Sequence, residues 1–118
     1  MPAASGQTAI LRFPNTDLKL GKPRPVLLIA KTPGAYDDWL LAMISTQLSQ
    51  AIPGHDEIVQ PSANDFERSG LRAASVIRLS RLAVVNESVL LGKLGEVSIE
   101  RLNRVRNKLA AWLSTETN

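Results

Sequence analysis

The sequence predicts a mainly β protein, a small barrel or sandwich with one helix at its C-terminal end. Three observations indicate this fold class. Short apolar runs of strand length recur along the first ninety residues, turn residues such as Pro33-Gly34 and Pro53-Gly54 separate them, and helical spacing of apolar residues is clear only after Ser98. We expect one domain over residues 1–118, because a chain of this length builds a single modest core.

The strand candidates are short apolar segments bounded by turns. They are residues 9–13, 26–30, 39–44, 57–59, 75–79 and 89–91. Residues 64–70 predict a short helical turn that Gly70 stops. Residues 1–5 are expected to be a disordered N-terminus.

Residues 98–114 predict the helix. Ser98 is a good N-cap, and apolar residues follow at three- and four-residue spacing. That apolar face consists of Leu102, Val105, Leu109, Trp112 and Leu113. Arg101, Arg104 and Lys108 fall on a neighbouring stripe, which we interpret as a solvated basic flank of a core-packing helix rather than a nucleic-acid contact. Trp112 is interpreted as a packing residue.

Composition excludes several classes of site. The chain has no cysteine, which excludes disulfides and thiolate metal sites, and its single histidine, His55, argues against a histidine-based metal site. We expect no metal and no cofactor. It has no signal-peptide pattern and no apolar run of membrane-spanning length, so a cytoplasmic protein without membrane contact is expected.

Charge is distributed unevenly along the chain. Residues 1–35 carry five basic side chains against one acidic, residues 36–70 carry one against six, and residues 71–118 carry eight against four. Nine of the fourteen basic residues are arginine, which can grip a phosphate through two hydrogen bonds. If the two basic segments meet in space they form a polyanion site; otherwise they are solvated faces.

Arg24 is the leading candidate for chemistry. It stands in Gly21-Lys22-Pro23-Arg24-Pro25, immediately before the strand at 26–30, where a stiff, turned backbone would hold its guanidinium at the mouth of the strand. The alternative is a surface arginine in a hairpin turn.

A second constellation is Ile44-Ser45-Thr46-Gln47, at the end of an apolar strand. Its hydroxyls either cap the strand edge or hold a scissile phosphate against Arg24. With a guanidinium they offer the donors needed for in-line attack by a ribose 2′-hydroxyl, without metal or cofactor.

The sequence resembles the MazF/PemK toxins in order over nearly the whole chain, from about Gly6 to Leu113. The motifs that carry the resemblance are Phe13-Pro14-Asn15-Thr16-Asp17, residues 21–30, Ile44-Ser45-Thr46-Gln47, Ser69-Gly70-Leu71, residues 75–79, and Lys93-Leu94-Gly95 with Ser98 and Leu102. The resemblance implies a small SH3-like barrel with a C-terminal helix, a homodimer, and a toxin endoribonuclease (an mRNA interferase) that cleaves single-stranded RNA without metal. It also implies a cognate antitoxin that occludes the active site, and DNA binding together with that antitoxin.

Carried over by position, the resemblance implies catalytic roles for Arg24 and for Ser45 or the neighbouring Thr46. The RNA-binding positions that we assign are Lys22, Gln47, Arg78 and Ser80. In the Kid/PemK branch an aspartate acts two residues after the arginine at position 78, but this chain has Ser80 there. A histidine between the first two strands of some relatives has no match, and His55 is interpreted as a turn residue.

The function favoured by the sequence is therefore a ribosome-independent mRNA interferase, active as a homodimer because the strands at 26–30 and 39–44 offer more apolar surface than one barrel needs. Two alternatives remain. One is a CcdB-like topoisomerase inhibitor, against which Trp112 argues because six residues follow it. The other is a family member that binds RNA or antitoxin without cutting.

Overall fold

Six antiparallel strands form one curled sheet with an α-helix against it in the computed structural model, which describes residues 3–14 and 20–115. The elements are β1 (Gln7–Pro14), β2 (Leu20–Lys31), β3 (Asp38–Ser45), β4 (Glu57–Val59), β5 (Ser75–Asn86), β6 (Gly92–Glu96) and α1 (Ile99–Ser114). The strand order is β4-β5-β3-β2-β1-β6. The predicted fold class, mainly β with a C-terminal helix, is confirmed.

The apolar run in β2 is continuous because that strand is buried on both faces. Leu27 and Ile29 point into a core that α1 covers, whereas Val26 and Leu28 point into a second cluster on the opposite face with Trp39. These side chains are buried within one chain. The strands at 26–30 and 39–44 therefore need no second copy to cover them, and the excess of apolar strand is not an argument for a dimer.

Arg24 lies inside β2 rather than at the mouth of a strand, which corrects the sequence-based expectation. β2 starts at Leu20, and Arg24 pairs with Leu11 of β1. Pairing between β2 and β3 begins only at Val26, so the other edge of the preceding segment has no strand partner among the described residues. Pro23 and Pro25 are tolerated there because a missing N–H costs nothing along an unpaired edge.

The predicted strand at 89–91 is wrong. A 3₁₀ turn spans Glu87–Val89, and the side chain of Asn86 caps it by accepting a hydrogen bond from the Ser88 amide. The strand begins at Gly92 and pairs with β1. Residues 64–70 form turns without a helix, and Gly70 has φ +73° as expected of a stop.

Parts of two segments that carried sequence predictions lie outside the described residues. Met1 and Pro2 of the expected disordered N-terminus, and Asn15, Thr16 and Asp17 of the first family motif, lie there. Ala3 is described: its amide donates to Oε1 of Glu87 at 2.7 Å.

The predicted helix is confirmed. The Ser98 hydroxyl accepts from the Arg101 amide as N-cap, and Leu102, Val105 and Leu109 are buried against the sheet. Trp112 is 47% exposed, and its ring meets that of His55 edge-on at 5.8 Å. No helix within residues 3–14 and 20–115 has the length and apolar character that crossing a membrane requires.

The basic stripe of α1 is not simply a solvated flank, because its side chains bind buried carboxylates. Arg101 is only 5% exposed. Its Nε donates to Asp65 Oδ2 at 2.7 Å, and its Nη1 donates to Glu57 Oε1 at 3.2 Å. Arg104 and Lys108 also donate to Glu57, each at 2.8 Å. The sequence pattern missed this cluster because its two carboxylates lie more than thirty residues earlier in the chain.

The pKa values of these carboxyl groups follow from the cluster. Hydrogen bonds from Arg101 lower the pKa of Asp65 to about 2, against the opposing effect of burial. Burial raises the pKa of Glu57, but hydrogen bonds from Lys108 and Arg104 outweigh it, so the pKa lies below its usual value. Both groups thus stabilise the fold in their ionised form.

A large bulge interrupts the pairing of β5 with β3. Ala42 pairs with Leu82 and the next residue, Met43, pairs with Arg78, so residues 79–81 have no partner on β3. The buried carboxylate of Asp56 holds the bulge: its Oδ1 accepts from the Leu79 amide at 2.8 Å. Bulges of this kind re-aim side chains beside functional sites.

Asp65→Asn tests the buried ion cluster. The folded-state pKa of Asp65, about 2, lies below the ~3.9 of an unfolded chain. The stabilisation is therefore complete above about pH 4 and disappears as the pH falls toward 2. We expect Asp65→Asn to lower the free energy of unfolding by about 3 kcal/mol at pH 7, with the gap to wild type narrowing below about pH 4. Urea unfolding between pH 7 and pH 2.5 measures this. The control is Glu100→Ala, which removes an exposed carboxylate beside Arg101 on α1, and a pH-independent gap would contradict the assignment.

Asp56→Ala tests the bulge. The change leaves the buried Leu79 amide and the Ile52 amide without their acceptor, which should cost about 1–3 kcal/mol. The matched control is Asp37→Ala, which removes only an exposed pair with Lys31 and should cost less than about 1 kcal/mol. Equal urea midpoints for the two variants would show that Asp56 does not hold the bulge.

Candidate functional site

A cavity of about 370 Å³ opens beside the bulge of β5. It is a half-open pocket lined by strands β2, β3 and β5 and by the loop that follows β3. Its lining residues are Arg24, Met43, Ser45, Gln47, Gln50, Arg78, Arg81 and Leu82.

The strands place one wall of this cavity. Arg24 projects from the half of β2 whose β3-facing edge is open, and Ser45 is the last residue of β3. Gln47 and Gln50 follow in a 3₁₀ turn over Leu48–Gln50. Because β3 ends at Ser45, the chain turns here, and the side chains of Gln47 and Gln50 line the cavity.

The bulge places the opposite wall. Arg78 and Leu82 flank the three unpaired residues of β5, and Arg81 lies among them. In a regular strand, residues 78 and 81 would point to opposite faces. The bulge brings both guanidiniums to the same cavity. Met43 and Leu82 form the apolar part of its lining.

The cavity is strongly cationic. Three arginines line it, and no carboxylate is among the described residues that do so. None of the ion pairs between described side chains involves Arg24, Arg78 or Arg81, whereas Arg101, Arg104 and Lys108 of α1 are all paired. The two basic segments of the sequence therefore meet in space, and their charge at this point is uncompensated by described residues.

Two further cavities differ in charge. One of about 470 Å³ is lined by Asp37 and Glu87, and one of about 420 Å³ by Glu96 and Glu100 beside Arg68. Of these three cavities, the arginine-lined one is the one that suits a polyanion.

Ser45 makes the local contact expected of a strand cap and still has a proton to give. Its Oγ accepts from the Gln47 amide at 3.1 Å. The hydroxyl donates to no acceptor among the described residues, so it can donate to a ligand in the cavity. Both interpretations of this hydroxyl are therefore compatible with the structure.

Arg78 has a neutral partner. Its Nη1 donates to Oε1 of Gln50 at 3.0 Å, and Nε2 of Gln50 donates to Oε1 of Gln47 at 2.8 Å. The Arg78 Nε atom is buried and has no acceptor among the described residues.

The structure brings four of the sequence-predicted site residues together, namely Arg24, Ser45, Gln47 and Arg78. It places the other three, Lys22, Thr46 and Ser80, on the surface and outside the lining of the cavity. His55 lies against Trp112 and also outside the lining.

Sequence reasoning missed four lining residues. They are Met43, Gln50, Arg81 and Leu82. Arg81 had a weak signal in the basic C-terminal segment, but strand alternation places it away from Arg78. Gln50 had a signal in its three-residue spacing from Gln47, which brings two side chains of a turn together.

The chemistry available in this cavity is charge stabilisation. Guanidiniums and a hydroxyl donate hydrogen bonds to anionic oxygens, which is how a phosphorane-like transition state is stabilised. Every ionisable residue among the described lining is arginine, whose guanidinium donates hydrogen bonds and accepts none.

Solved structures with the same fold cover nearly the whole chain. An endoribonuclease in complex with its cognate antitoxin from a mycobacterial species is 15% identical, with a TM-score of 0.69, over 99% of this chain and 100% of that one. The toxin MazF-mt6 of Mycobacterium tuberculosis is 16% identical, with a TM-score of 0.66, over 94% and 99%. The MazE-MazF structure from Deinococcus radiodurans is 19% identical, with a TM-score of 0.64, over 98% and 99%. These likenesses show the fold.

A search among curated proteins gave no match. The family model of the PemK-like, MazF-like toxins of type II toxin-antitoxin systems matches residues 5–113. That range includes the open half of β2, the end of β3, the bulge of β5 and nearly all of α1, so it contains both walls of the cavity. The chain belongs to the PemK-like, MazF-like toxins of type II toxin-antitoxin systems.

Proposed function

We propose that the chain is an mRNA interferase, a toxin endoribonuclease that cleaves single-stranded RNA without a metal ion. The observation that carries this proposal is the cavity with three guanidiniums, a hydroxyl and no carboxylate among its described lining residues. Such a site suits the backbone of a polyanion and concentrates positive charge where a phosphate would react.

The reaction that fits this lining is an internal transfer. The ribose 2′-oxygen attacks the adjacent phosphorus, and the bond from phosphorus to the 5′-oxygen breaks. The products are a 2′,3′-cyclic phosphate and a 5′-hydroxyl. Arg24 would stabilise the doubly charged phosphorane, and the Ser45 hydroxyl would donate to one of its oxygens.

Proton transfer in this scheme does not use a side chain. The 2′-hydroxyl proton passes to water or to a phosphate oxygen, and the leaving 5′-oxygen takes a proton from water. This assignment is supported by the described lining, which contains no carboxylate and no histidine that could act as the base.

The RNA would extend beyond the cavity. Arg78, Arg81 and Gln47 lie on its walls and would contact the backbone next to the scissile phosphate. Lys22 and Ser80 are exposed beyond the lining, where they would contact neighbouring nucleotides. Thr46 follows Ser45 and is the alternative hydroxyl.

The proposed protein partners are a second copy of the chain and a cognate antitoxin. The mycobacterial endoribonuclease described above was solved with its antitoxin, which supports the same kind of partner here. An antitoxin segment rich in acidic residues would suit the cationic cavity. Exposed apolar side chains such as Val84, Val89 and Leu91 remain for contacts between protein chains.

Arg24→Ala is the main test of the catalytic assignment. With a long single-stranded RNA in EDTA, we expect wild-type protein to cleave and the variant to be slower by about 10²–10³. Its melting temperature should barely change, because an exposed arginine contributes little to stability. The matched control is Arg12→Ala, an exposed arginine on the adjacent strand that does not line the cavity. Normal cleavage by Arg24→Ala would refute its role, and absence of cleavage by wild type would refute the proposed activity.

The pH profile tests the absence of a side-chain base. We expect the cleavage rate to show no inflection between about pH 4 and 7, since neither a carboxylate nor a histidine titrates in the proposed mechanism. His55→Ala should cleave like wild type, because His55 contacts Trp112 and not the cavity. An inflection near pH 6 that disappears in His55→Ala would make His55 the base.

Light scattering tests the assembly. We expect a mass of about twice 12.8 kDa at micromolar concentration. Replacing the exposed Val84 by Asp should shift that equilibrium toward monomer, because burying an unpaired charge is costly. A wild-type monomer would contradict the proposed homodimer.

A further inference from the structure

Arg78 is held by an amide and not by a carboxylate. Its Nη1 donates to Oε1 of Gln50 at 3.0 Å. Gln50 is in turn oriented by Gln47, whose Oε1 accepts from Gln50 Nε2 at 2.8 Å. The two hydrogen bonds fix which end of the Gln50 carboxamide faces the guanidinium.

The backbone around Gln50 is anchored to the same bulge that carries Arg78. The Gln50 amide donates to the Gln47 carbonyl at 3.0 Å within the 3₁₀ turn. A few residues later, Asp56 accepts from the Ile52 amide through Oδ2 and from the Leu79 amide through Oδ1. One buried carboxylate thus connects the loop of Gln50 to the residue that follows Arg78.

A neutral acceptor orients a guanidinium without cancelling its charge. Arg101 shows the contrasting arrangement in the same chain, since Asp65 and Glu57 both pair with it. Arg78 forms no ion pair with a described residue and keeps its full charge for a ligand in the cavity. Its buried Nε also has no acceptor among the described residues, so an anionic oxygen could satisfy a donor that is otherwise unpaired.

We propose that Gln50 is a positioning residue, which holds the Arg78 guanidinium toward the cavity so that it binds a phosphate of the RNA. This inference rests on the proposed function and adds to it a residue that acts through another. Gln50 does not need to touch the RNA in this role.

A double-mutant cycle on kcat/KM for RNA cleavage tests the inference. Gln50→Met keeps the length of the side chain and removes the acceptor. Arg78→Ala should lower kcat/KM by about 10- to 100-fold, as expected for lost hydrogen bonds to a charged group, and Gln50→Met by about tenfold. In the Arg78→Ala background, Gln50→Met should change kcat/KM by less than about twofold, because coupled residues are not additive.

Two controls separate positioning from a structural effect. Gln60→Met changes another exposed glutamine outside the cavity and should leave kcat/KM unchanged. The Nε–Hε signal of Arg78, measured by NMR without RNA, should shift in Gln50→Met and not in Gln60→Met. Melting temperatures of both variants should match wild type, because both glutamines are exposed.

The outcomes are distinguishable. Coupled effects in the cycle together with the NMR shift support the positioning role. Additive effects, wild-type kcat/KM in both single variants, or an unchanged Arg78 signal overturn it while leaving the endoribonuclease assignment intact. A wild-type protein that neither binds nor cleaves RNA overturns the proposed function and the role of Gln50 with it.

Discussion

The buried ion cluster centred on Arg101 is the interaction on which the rest of the structure depends. Arg101 binds both oxygens of Asp65 and one oxygen of Glu57, so it joins α1 to β4 and to the loop that follows β4. The cluster is buried at the centre, where an uncompensated charge would be costly. It fixes the helix over the apolar core, and Leu102 and Val105 close that core only when the helix lies there.

This cluster also affects the electrostatics of the arginine-lined cavity. In the acidic middle segment of the chain, Glu57 and Asp65 bind arginines of the helix, and Asp56 accepts hydrogen bonds from backbone amides. The arginines of the cavity are left without carboxylate partners among the described residues. The protein has a net charge of only +3. It nevertheless presents a concentrated cationic cavity, because Glu57 and Asp65 bind side chains of α1 and Asp56 binds backbone amides.

The geometry of the cavity depends on one irregular stretch of β5. The bulge turns Arg78 and Arg81 toward the same space, and Asp56 joins that bulge to the loop that carries Gln50. The consecutive residues Asp56 and Glu57 thus stabilise different parts of the structure. Asp56 binds the bulge and the loop that line the cavity, and Glu57 binds the helix. This arrangement links the stability of the fold to the placement of the site.

The sequence by itself determined the fold class, the helix after Ser98 and the positions of five of the six strands, because periodicity and turn residues act locally along the chain. Motif order also identified Arg24 and Ser45, which the cavity brings together. Only the tertiary structure decided that Arg101 is buried in an ion cluster, that Arg81 lines the cavity and that Gln50 is the partner of Arg78. These depend on a strand bulge and on contacts between residues more than twenty-five positions apart. A helical stripe of arginines looks the same in a sequence whether water or a buried carboxylate faces it, and the carboxylates are brought there by the folding of the whole chain.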